Sequence, residues 1–296
     1  MPDLVHHDLC GSLTGEATMA STTQLAGATT RRWECELFDR LDLPIAVMPD
    51  LVQPGVQLGR VHSDVRGALA LPDMAVVAPA THDTASAVVG APIGEGWAYL
   101  SSGTWSLLGI ETEVPLLTDT AREVGLTNEG GVEGNNRLLK NIAGMWILES
   151  CRKIWATQGE AIDFTDLSRA IALVRARRAF VLPDDPRFFN PPDMPRAIEA
   201  FLQESGQPVP GDYGGYARVV LESLALRYAS VVEAIEHATG RAIVGIRIIG
   251  GGSQNRFLNQ ATADATGREV RAGPIEATAL GNVIVQAISD GCFGNV

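Results

Sequence analysis

The chain of 296 residues has few basic side chains for its length. Lys and Arg together number 23, against 35 Asp and Glu, so the formal net charge is −12 at pH 7. A surface with this balance repels a polyphosphate backbone, which excludes broad nucleic-acid binding. A local phosphate site is still compatible with it, because backbone N–H groups bind anions without any basic side chain.

Cysteine is also scarce, and its spacing excludes two kinds of site. The four cysteines are scattered and form no C-x-x-C pair. The sequence therefore predicts free thiols in a reducing compartment, rather than a disulfide framework or a zinc site. The cysteines are Cys10, Cys35, Cys151 and Cys292. The adjacent His6 and His7 are interpreted as part of an exposed helix rather than as metal ligands.

The sequence has no long apolar run. Stretches such as Ile243 to Ile249 fall far short of the roughly 20 residues that cross a bilayer. The opening Met1-Pro2-Asp3 is not followed by the basic region and apolar stretch of a secretory signal. We therefore expect a cytoplasmic protein without a membrane partner. The hydrophobic content of 46% is enough for a sizeable core, in one large domain or two smaller ones.

The character of the chain changes near residue 75. Residues 1 to about 75 are mostly polar, helical in pattern and without a convincing sheet of their own. Beyond them, two strands joined by a Gly-containing turn, Trp97 to Ser101 and Trp105 to Glu111, predict a hairpin. Helices and strands then alternate, and the clearest helix runs from Tyr216 to Thr239. This order indicates an α/β domain with a mixed sheet.

Three consecutive glycines follow the apolar strand predicted over Ile243 to Ile249. The run Gly250 to Asn255 lies between that strand and a helix predicted from Asn255 to Ala265, where the first N–H groups are free to bind an anion or a polar base edge. Glycines there let the backbone approach a ligand closely, an interpretation that we favour over a tight packing turn. The run matches neither G-x-x-x-x-G-K-[ST] nor G-x-G-x-x-G.

Two further polar turns have less specific patterns. At Ser101 to Thr104, N–H and hydroxyl donors can surround a phosphate, although an ordinary hairpin turn explains the local sequence better. At Thr81 to Thr84, the Asp83 carboxylate can accept a proton from a substrate hydroxyl. Taken alone, Asp83 is more simply the cap of a helix that begins near Thr84.

Asn141 follows Lys140 at the predicted start of a helix that runs to Ala156. An Asn at such a place caps the helix or binds a sugar hydroxyl. Capping is the commoner of the two roles, and the local sequence does not decide between them.

Taken together, these motifs resemble those of the FGGY carbohydrate kinases, most closely the rhamnulokinase branch. The resemblance covers about residues 10 to 290. Ser101 to Ser106, followed by Asn128 to Gly131, is typical of that branch, whereas the glycine run is shared by the wider family. The matching segments are Thr81 to Ala87, Tyr99 to Ser106, Thr127 to Gly131, Leu139 to Ile142, Gly250 to Asn255 and Ala277 to Asn282.

The resemblance implies a ribonuclease-H-like (actin-like ATPase) α/β fold, in which a mixed sheet is flanked by helices and ATP and Mg²⁺ lie between two such domains. It also implies phosphorylation of a ketose, above all L-rhamnulose. Asp83 would be the general base that takes the proton of the sugar's primary hydroxyl. The sugar would be bound by His82, Thr84 and Asn141. ATP would be bound by Thr104, Glu149 and Gly251.

Two departures from the family pattern stand out. Close relatives often have Gln in place of Glu149, and a carboxylate near phosphates is unfavourable unless it is protonated, paired or turned to a metal. Residues 1–75 match only the end of the family's first, sugar-binding domain, and its Asp-containing phosphate-binding hairpin is not found. Residues 76–296 match the nucleotide-binding domain, truncated at its end. We therefore expect a fragment that associates with a missing N-terminal half or with itself.

Three hypotheses follow. The first is a sugar kinase that is active once the missing half is supplied. The second is a non-catalytic nucleotide-binding or assembly module on an actin-like fold, and the presence of Asp83, His82 and Asn141 argues against it. The third is an inactive remnant, which would lack a sharp thermal transition and expose an apolar patch that promotes self-association.

Overall fold

The structure is a computed structural model and describes residues 1–91, 93–176, 178–292 and 294. Short 3₁₀ turns interrupt the α-helices and strands. In chain order the elements are α1 (Pro2–Cys10), β1 (Gly15–Glu16), α2 (Ala17–Ala20), α3 (Cys35–Arg40), β2 (Leu51–Val52), β3 (Gln57–Arg60), α4 (Ser63–Leu69), β4 (Ala75–Val77), α5 (Asp83–Val89), β5 (Trp97–Ser102), β6 (Ser106–Thr112), α6 (Asp119–Glu123), β7 (Thr127–Gly130), β8 (Asn136–Ile142), α7 (Trp146–Thr157), α8 (Phe164–Leu173), α9 (Met194–Glu204), α10 (Tyr213–Thr239), β9 (Gly245–Ile249), α11 (Arg256–Thr266), β10 (Glu269–Ala272) and α12 (Ala277–Ser289).

The chain folds into two compact units. The first comprises Met1–Pro92, Ile110–Leu139 and Glu276–Val296, and the second comprises Ile93–Gly109 and Lys140–Ile275. The division falls within β6 and β8, so each of these strands contributes residues to both units.

The second unit contains the mixed sheet that the sequence predicted. Strand β9 pairs in parallel with β5 and with β10, whereas β5 and β6 form an antiparallel hairpin. Helix α10 packs against α8 and α11. It begins where the Asp212 carboxylate accepts the N–H of Gly215 and ends at Gly240, whose φ of 66° suits a glycine C-cap. The helix predicted over Tyr216 to Thr239 is confirmed.

The first unit has more strands than the sequence indicated. Strands β1 and β2 pair in parallel, β3 and β4 are antiparallel, and β7 and β8 form a hairpin. The prediction that residues 1 to 75 lack a sheet was wrong. Strands β1 to β4 have only two to four residues, which is too short for the alternating pattern of a strand to be visible.

Helices α5 and α12 pack against each other in the first unit through small residues. A Cβ on Gly281 would overlap the carbonyl oxygen of Ser86, and a Cβ on Gly90 would overlap that of Ala277. The hydroxyl of Thr278 also donates to the carbonyl oxygen of Asp83, at 3.2 Å. Glycine is therefore required where the two backbones meet, and α12 fixes the helix that begins at Asp83.

The structure can be compared directly with the predictions made for the thiols, the histidines and membrane-spanning helices. All four cysteines are free, as predicted. Of the two adjacent histidines on α1, His7 is exposed but His6 is buried, so the pair is only half exposed. Among the helices that the structure describes, none is long and apolar enough to cross a bilayer.

Candidate active site

The N-terminus of α5 contains three of the residues implied by the resemblance: the N-cap His82 and the first two helical residues, Asp83 and Thr84. The sequence predicted a helix start near Thr84 with Asp83 as its cap, whereas the structure makes His82 the N-cap and Asp83 the first helical residue. The N–H of Thr84 donates to Nδ1 of His82, at 3.2 Å, and to Oδ1 of Asp83, at 2.6 Å. Both side chains therefore share the capping role.

The carboxylate of Asp83 is oriented through one oxygen only. Its Oδ1 accepts the N–H of Thr84 and, at 3.3 Å, the hydroxyl of Thr84. Oδ2 has no hydrogen-bond partner among the residues described, and the side chain is 80% exposed. A negative charge at a helix N-terminus is stabilised by the helix dipole. Asp83 is therefore a fixed carboxylate with one oxygen available to accept a proton.

His82 is largely buried beside this carboxylate. Because its Nδ1 accepts a hydrogen bond, the neutral ring carries its proton on Nε2. Burial, and next the charge of Arg137, lower the pKa of His82 below its ordinary value of 6.5, while Glu129, Asp83 and Glu16 act in the opposite direction. At neutral pH His82 is therefore an uncharged side chain that donates from Nε2.

A buried ion pair lies next to His82 on the β7–β8 hairpin. Nε2 of His82 is 3.7 Å from Oε2 of Glu129, which accepts from Nη2 of the fully buried Arg137 at 3.0 Å. Glu129 and Arg137 are directly opposite each other on the two strands. Nε of Arg137 also donates to the carbonyl oxygen of Gly130. The segment Thr127 to Gly131 thus supports His82 through Glu129. Sequence analysis missed Arg137, the ion-pair partner of Glu129.

In the second unit, the end of the β5–β6 hairpin adjoins the start of α7. Thr104 is exposed at the hairpin turn. The N–H of Met145 donates to the carbonyl oxygen of Gly103, at 3.1 Å, and that of Trp146 to the carbonyl oxygen of Thr104, at 3.0 Å. These bonds place Thr104 beside the first turn of α7, which contains Glu149.

Two serines of the same hairpin belong to the buried part of the second unit. Ser102 and Ser106 are buried, and Oγ of Ser106 is hydrogen-bonded to the hydroxyl of Tyr228 on α10 at 2.7 Å. Burial raises the pKa of Tyr228 to about 12, against a smaller opposite effect of the two serines. The prediction that this turn is an ordinary hairpin therefore applies to the serines, while Thr104 remains accessible.

Within the glycine run, two positions serve packing and one is open. Gly250 has a φ of 82°, and a Cβ on it would lie 3.0 Å from the carbonyl oxygen of Ser102. A Cβ on Gly252 would overlap the side chain of Ser102, but a Cβ on Gly251 would meet nothing within 4 Å. The packing interpretation therefore applies to Gly250 and Gly252. The ligand-binding interpretation stays a prediction, and Gly251 is its candidate residue.

Glu149 is already paired. Its two carboxylate oxygens accept from Nη1 of Arg152, each at 2.9 Å. Nε of Arg152 donates to the carbonyl oxygen of Ile162, and its guanidinium lies 4.4 Å from the centre of the Phe164 ring. Arg152 thus holds a fixed position and offsets the negative charge of Glu149. That charge was the reason why the sequence made Glu149 an unfavourable neighbour for phosphates.

Asn141 does not cap a helix. It lies exposed near the end of β8, and α7 begins only at Trp146. The predicted helix start at Asn141 was wrong because the buried Leu139 and Ile142 continue the strand to that point. The amide of Asn141 is therefore free of a capping role. It belongs to the second unit, whereas His82, Asp83 and Thr84 belong to the first.

The residues present fit a metal that arrives with phosphates. Over the described ranges, no group of three or more His, Cys, Asp or Glu side chains could hold a metal ion. Mg²⁺ is usually bound through substrate phosphates, waters and one or two carboxylates, so a preformed protein site is not required. The exposed Thr104 at the hairpin turn is accessible to a polyphosphate ligand.

Solved structures show which fold this is. The chain is similar to gluconate kinase from Lactobacillus acidophilus, with a TM-score of 0.76 and 17% identity, over 99% of this chain and 59% of that one. It is also similar to glycerol kinase from Plasmodium falciparum, with a TM-score of 0.72 and 17% identity, over 98% of this chain and 57% of that one. At these identities the likeness defines the fold alone, which is the actin-like ATPase fold of sugar kinases.

Sequence comparison defines the family. Models of the FGGY family of carbohydrate kinases match with their N-terminal domain at residues 1–90 and with their C-terminal domain at residues 98–289. The chain belongs to the FGGY family of carbohydrate kinases. It is 44% identical to the rhamnulokinase of Bacteroides thetaiotaomicron over 292 residues and 39% identical to that of Bacillus subtilis over 290 residues. Each match covers 98% of this chain and 59% of the relative.

Proposed function

We propose that this chain carries the base and nucleotide contacts of an ATP-dependent kinase that converts L-rhamnulose to L-rhamnulose 1-phosphate in rhamnose degradation. The curated relatives named rhamnulokinase, at 39% to 44% identity, support this substrate. The observation that carries the proposal is the carboxylate of Asp83, which is oriented by the N–H of Thr84 and has one oxygen without a partner among the described residues.

In this proposal each residue of the turn has a defined task. Oδ2 of Asp83 accepts the proton of the sugar's primary hydroxyl as that oxygen attacks the terminal phosphorus. His82 donates from Nε2 to a sugar oxygen, and Asn141 bonds a sugar hydroxyl through its exposed amide. Thr84 is 3% exposed and its hydroxyl donates to Asp83, which favours an orienting role over direct contact with the sugar.

The second unit supplies the nucleotide contacts. Thr104 faces the phosphates, Gly251 lies against the adenosine, and Glu149 adjoins the nucleotide with its charge offset by Arg152. ATP with Mg²⁺ supplies the phosphoryl group and part of the charge stabilisation. The protein's own contribution is positioning, which matters most in this class of reaction.

The test is ATP-dependent phosphorylation of L-rhamnulose in the presence of Mg²⁺. The reaction is measured by the amount of ADP released. The chain is assayed alone and together with the part of the B. thetaiotaomicron relative that lies outside the match. Asp83→Asn is the test variant, and Asp64→Asn is the matched control, because Asp64 is an exposed acid in the first turn of α4. We expect turnover to fall by roughly 10²–10⁴-fold in Asp83→Asn and to be unchanged in Asp64→Asn.

The outcomes separate the hypotheses. Turnover that is lost only in Asp83→Asn establishes a kinase and its base. Absence of turnover in both assays, with ATP binding still detected by calorimetry, would instead favour a non-catalytic nucleotide-binding lobe. Equal loss in Asp83→Asn and Asp64→Asn would contradict the assignment of the base.

A further inference from the structure

Glu16 is a buried acid at the end of β1, with 1% of its surface exposed. It caps α2, because its carboxylate accepts the N–H groups of Thr18 and Met19, at 2.8 and 3.3 Å, and the hydroxyl of Thr18. No cation pairs with it in the portion of the chain that the structure describes. Burying an unpaired carboxylate is costly unless several donors satisfy it.

The same carboxylate also binds the turn that carries the proposed base. Oε2 of Glu16 accepts the N–H of Thr81, at 2.9 Å, and the hydroxyl of Thr81, at 2.7 Å. The hydroxyl of Thr18, which donates to Glu16, in turn accepts the N–H of His82 at 3.1 Å. One buried group thus joins two segments that lie 65 residues apart in the chain.

Capping alone does not explain this arrangement. A short helix such as α2 can be capped by Ser, Thr or Asn without burying a charge. Glu16 instead receives five donors, three from its own helix and two from Thr81, which is far more than the two lone-pair sites of a side-chain amide oxygen could accept. A Gln in its place would turn its NH₂ group, which is a donor, toward N–H or hydroxyl groups that are also donors. The hydroxyl of Thr18 extends this network to the N–H of His82, the residue before Asp83.

We propose that Glu16 and Thr18 are positioning residues for the proposed base: through Thr81 and His82 they fix where the turn before α5 presents Asp83. Neither residue touches the sugar in this assignment. The inference rests on the proposed function, because it assigns a task toward Asp83.

The test compares Thr18→Val, which removes the hydroxyl at nearly constant shape, with Thr18→Ser, which keeps it. Glu16→Gln is the second variant. Thr22→Val is the control, because the hydroxyl of Thr22 is exposed and, among the residues described, bonds only the carbonyl oxygen of Met19 in its own segment. The first measurement is hydrogen exchange of the Thr81 and His82 amides in the chain itself. The second measures L-rhamnulose affinity and, in the two-part assay, kcat and the KM for ATP.

We expect exchange at the His82 amide to be roughly 3–10-fold faster in Thr18→Val and unchanged in Thr18→Ser and Thr22→Val. Glu16→Gln should accelerate exchange at both amides. Sugar affinity and kcat should fall by about 10-fold or more in Thr18→Val, return in Thr18→Ser, and leave the KM for ATP unchanged.

Two results would overturn the proposal. One is unchanged exchange at Thr81 and His82 in all variants, which would show that the bonds do not hold the turn. The other is faster exchange without any effect on sugar affinity or kcat, which would make Glu16 purely structural. Failure of the proposed function is seen separately and earlier, because the unmodified chain would then neither bind nor phosphorylate L-rhamnulose.

Discussion

The backbone of Gly281 on α12 lies directly against the carbonyl oxygen of Ser86 on α5. Since α5 begins at Asp83, this contact holds the helix that carries the proposed base. The resemblance of Ala277 to Asn282 to the FGGY pattern therefore has a structural explanation. The small residues of this segment let two helices meet at backbone distance.

Gly281→Ala should destabilise the protein by about 1–3 kcal/mol, because the added methyl group overlaps a carbonyl oxygen and forces the helices apart. The measurement is the free energy of unfolding in urea. Gly67→Ala is the control, since Gly67 lies inside α4 with nothing within 4 Å of an added Cβ. It should be stabilising by up to about 1 kcal/mol, because Ala is the better helix former. Equal effects of the two substitutions would contradict the contact.

Gly251→Ala and Gly252→Ala should separate ligand binding from folding. An alanine at Gly252 overlaps Ser102 and should lower stability, whereas the Cβ of one at Gly251 has no described atom within 4 Å. We expect Gly251→Ala to leave the melting temperature unchanged and to weaken ATP binding by about 10-fold, as measured by calorimetry. Gly211→Ala, at another open and exposed glycine, should change neither. Normal ATP affinity in Gly251→Ala would place the nucleotide elsewhere.

Arg152→Gln should weaken ATP binding because it leaves the Glu149 carboxylate without its partner. We expect a loss of about 3–10-fold in affinity that is smaller at high salt. Most of the loss should be recovered in the double variant Glu149→Gln/Arg152→Gln, which removes both charges. Arg169→Gln serves as the control, since Arg169 forms an exposed pair with Asp166 on α8. Without recovery in the double variant, Arg152 would act on the nucleotide by itself.

His82→Asn should make the protein less sensitive to acid. The pKa of His82 is lowered in the folded state, so the unfolded chain takes up its proton first as pH falls. This stability contribution is fully present above pH 6.5 and is lost as pH falls from there through the lowered folded-state pKa. The free energy of unfolding at pH 7.5 and pH 5.5 should therefore differ less in His82→Asn than in the unmodified protein. As the control, His7→Asn replaces an exposed histidine and should leave the difference in unfolding free energy between the two pH values unchanged. If His82→Asn also left this difference unchanged, His82 would not titrate in this range.

Long elements with a repeated pattern were predictable, and short ones were not. Helix α10 was predicted to within three residues at its start, because its apolar stripe is regular and Gly240 ends it. By contrast, Asn141 was wrongly predicted to begin a helix, because the local sequence Lys140-Asn141-Ile142 is compatible with both a strand and a helix. Strands β1 to β3 depend on partners far away in the chain, which no local pattern reveals.

Local patterns singled out Asp83, as a cap or a base, and the glycine run that contains Gly251. The role of His82 toward the sugar came only from the resemblance to the FGGY family, and all of these roles stay predictions. Glu16 and Arg137 were missed because their importance comes from contacts across the fold, between residues that are polar yet buried. The ion pair of Glu149 with Arg152 was not predicted, but the sequence does indicate it, because Arg152 is three positions later on the same helix. The domain boundary expected near residue 75 stays a prediction.

The pairing of α5 with α12 also sets an order of events during synthesis. The two helices are joined by a bond between residues 195 positions apart, so a ribosome makes α5 long before its partner exists. A helix of seven residues is too short to be stable alone, and domains generally form as they emerge. The nascent chain therefore carries its proposed base on an unfixed segment until α12 has been translated, and only then is the carboxylate of Asp83 held in its final position.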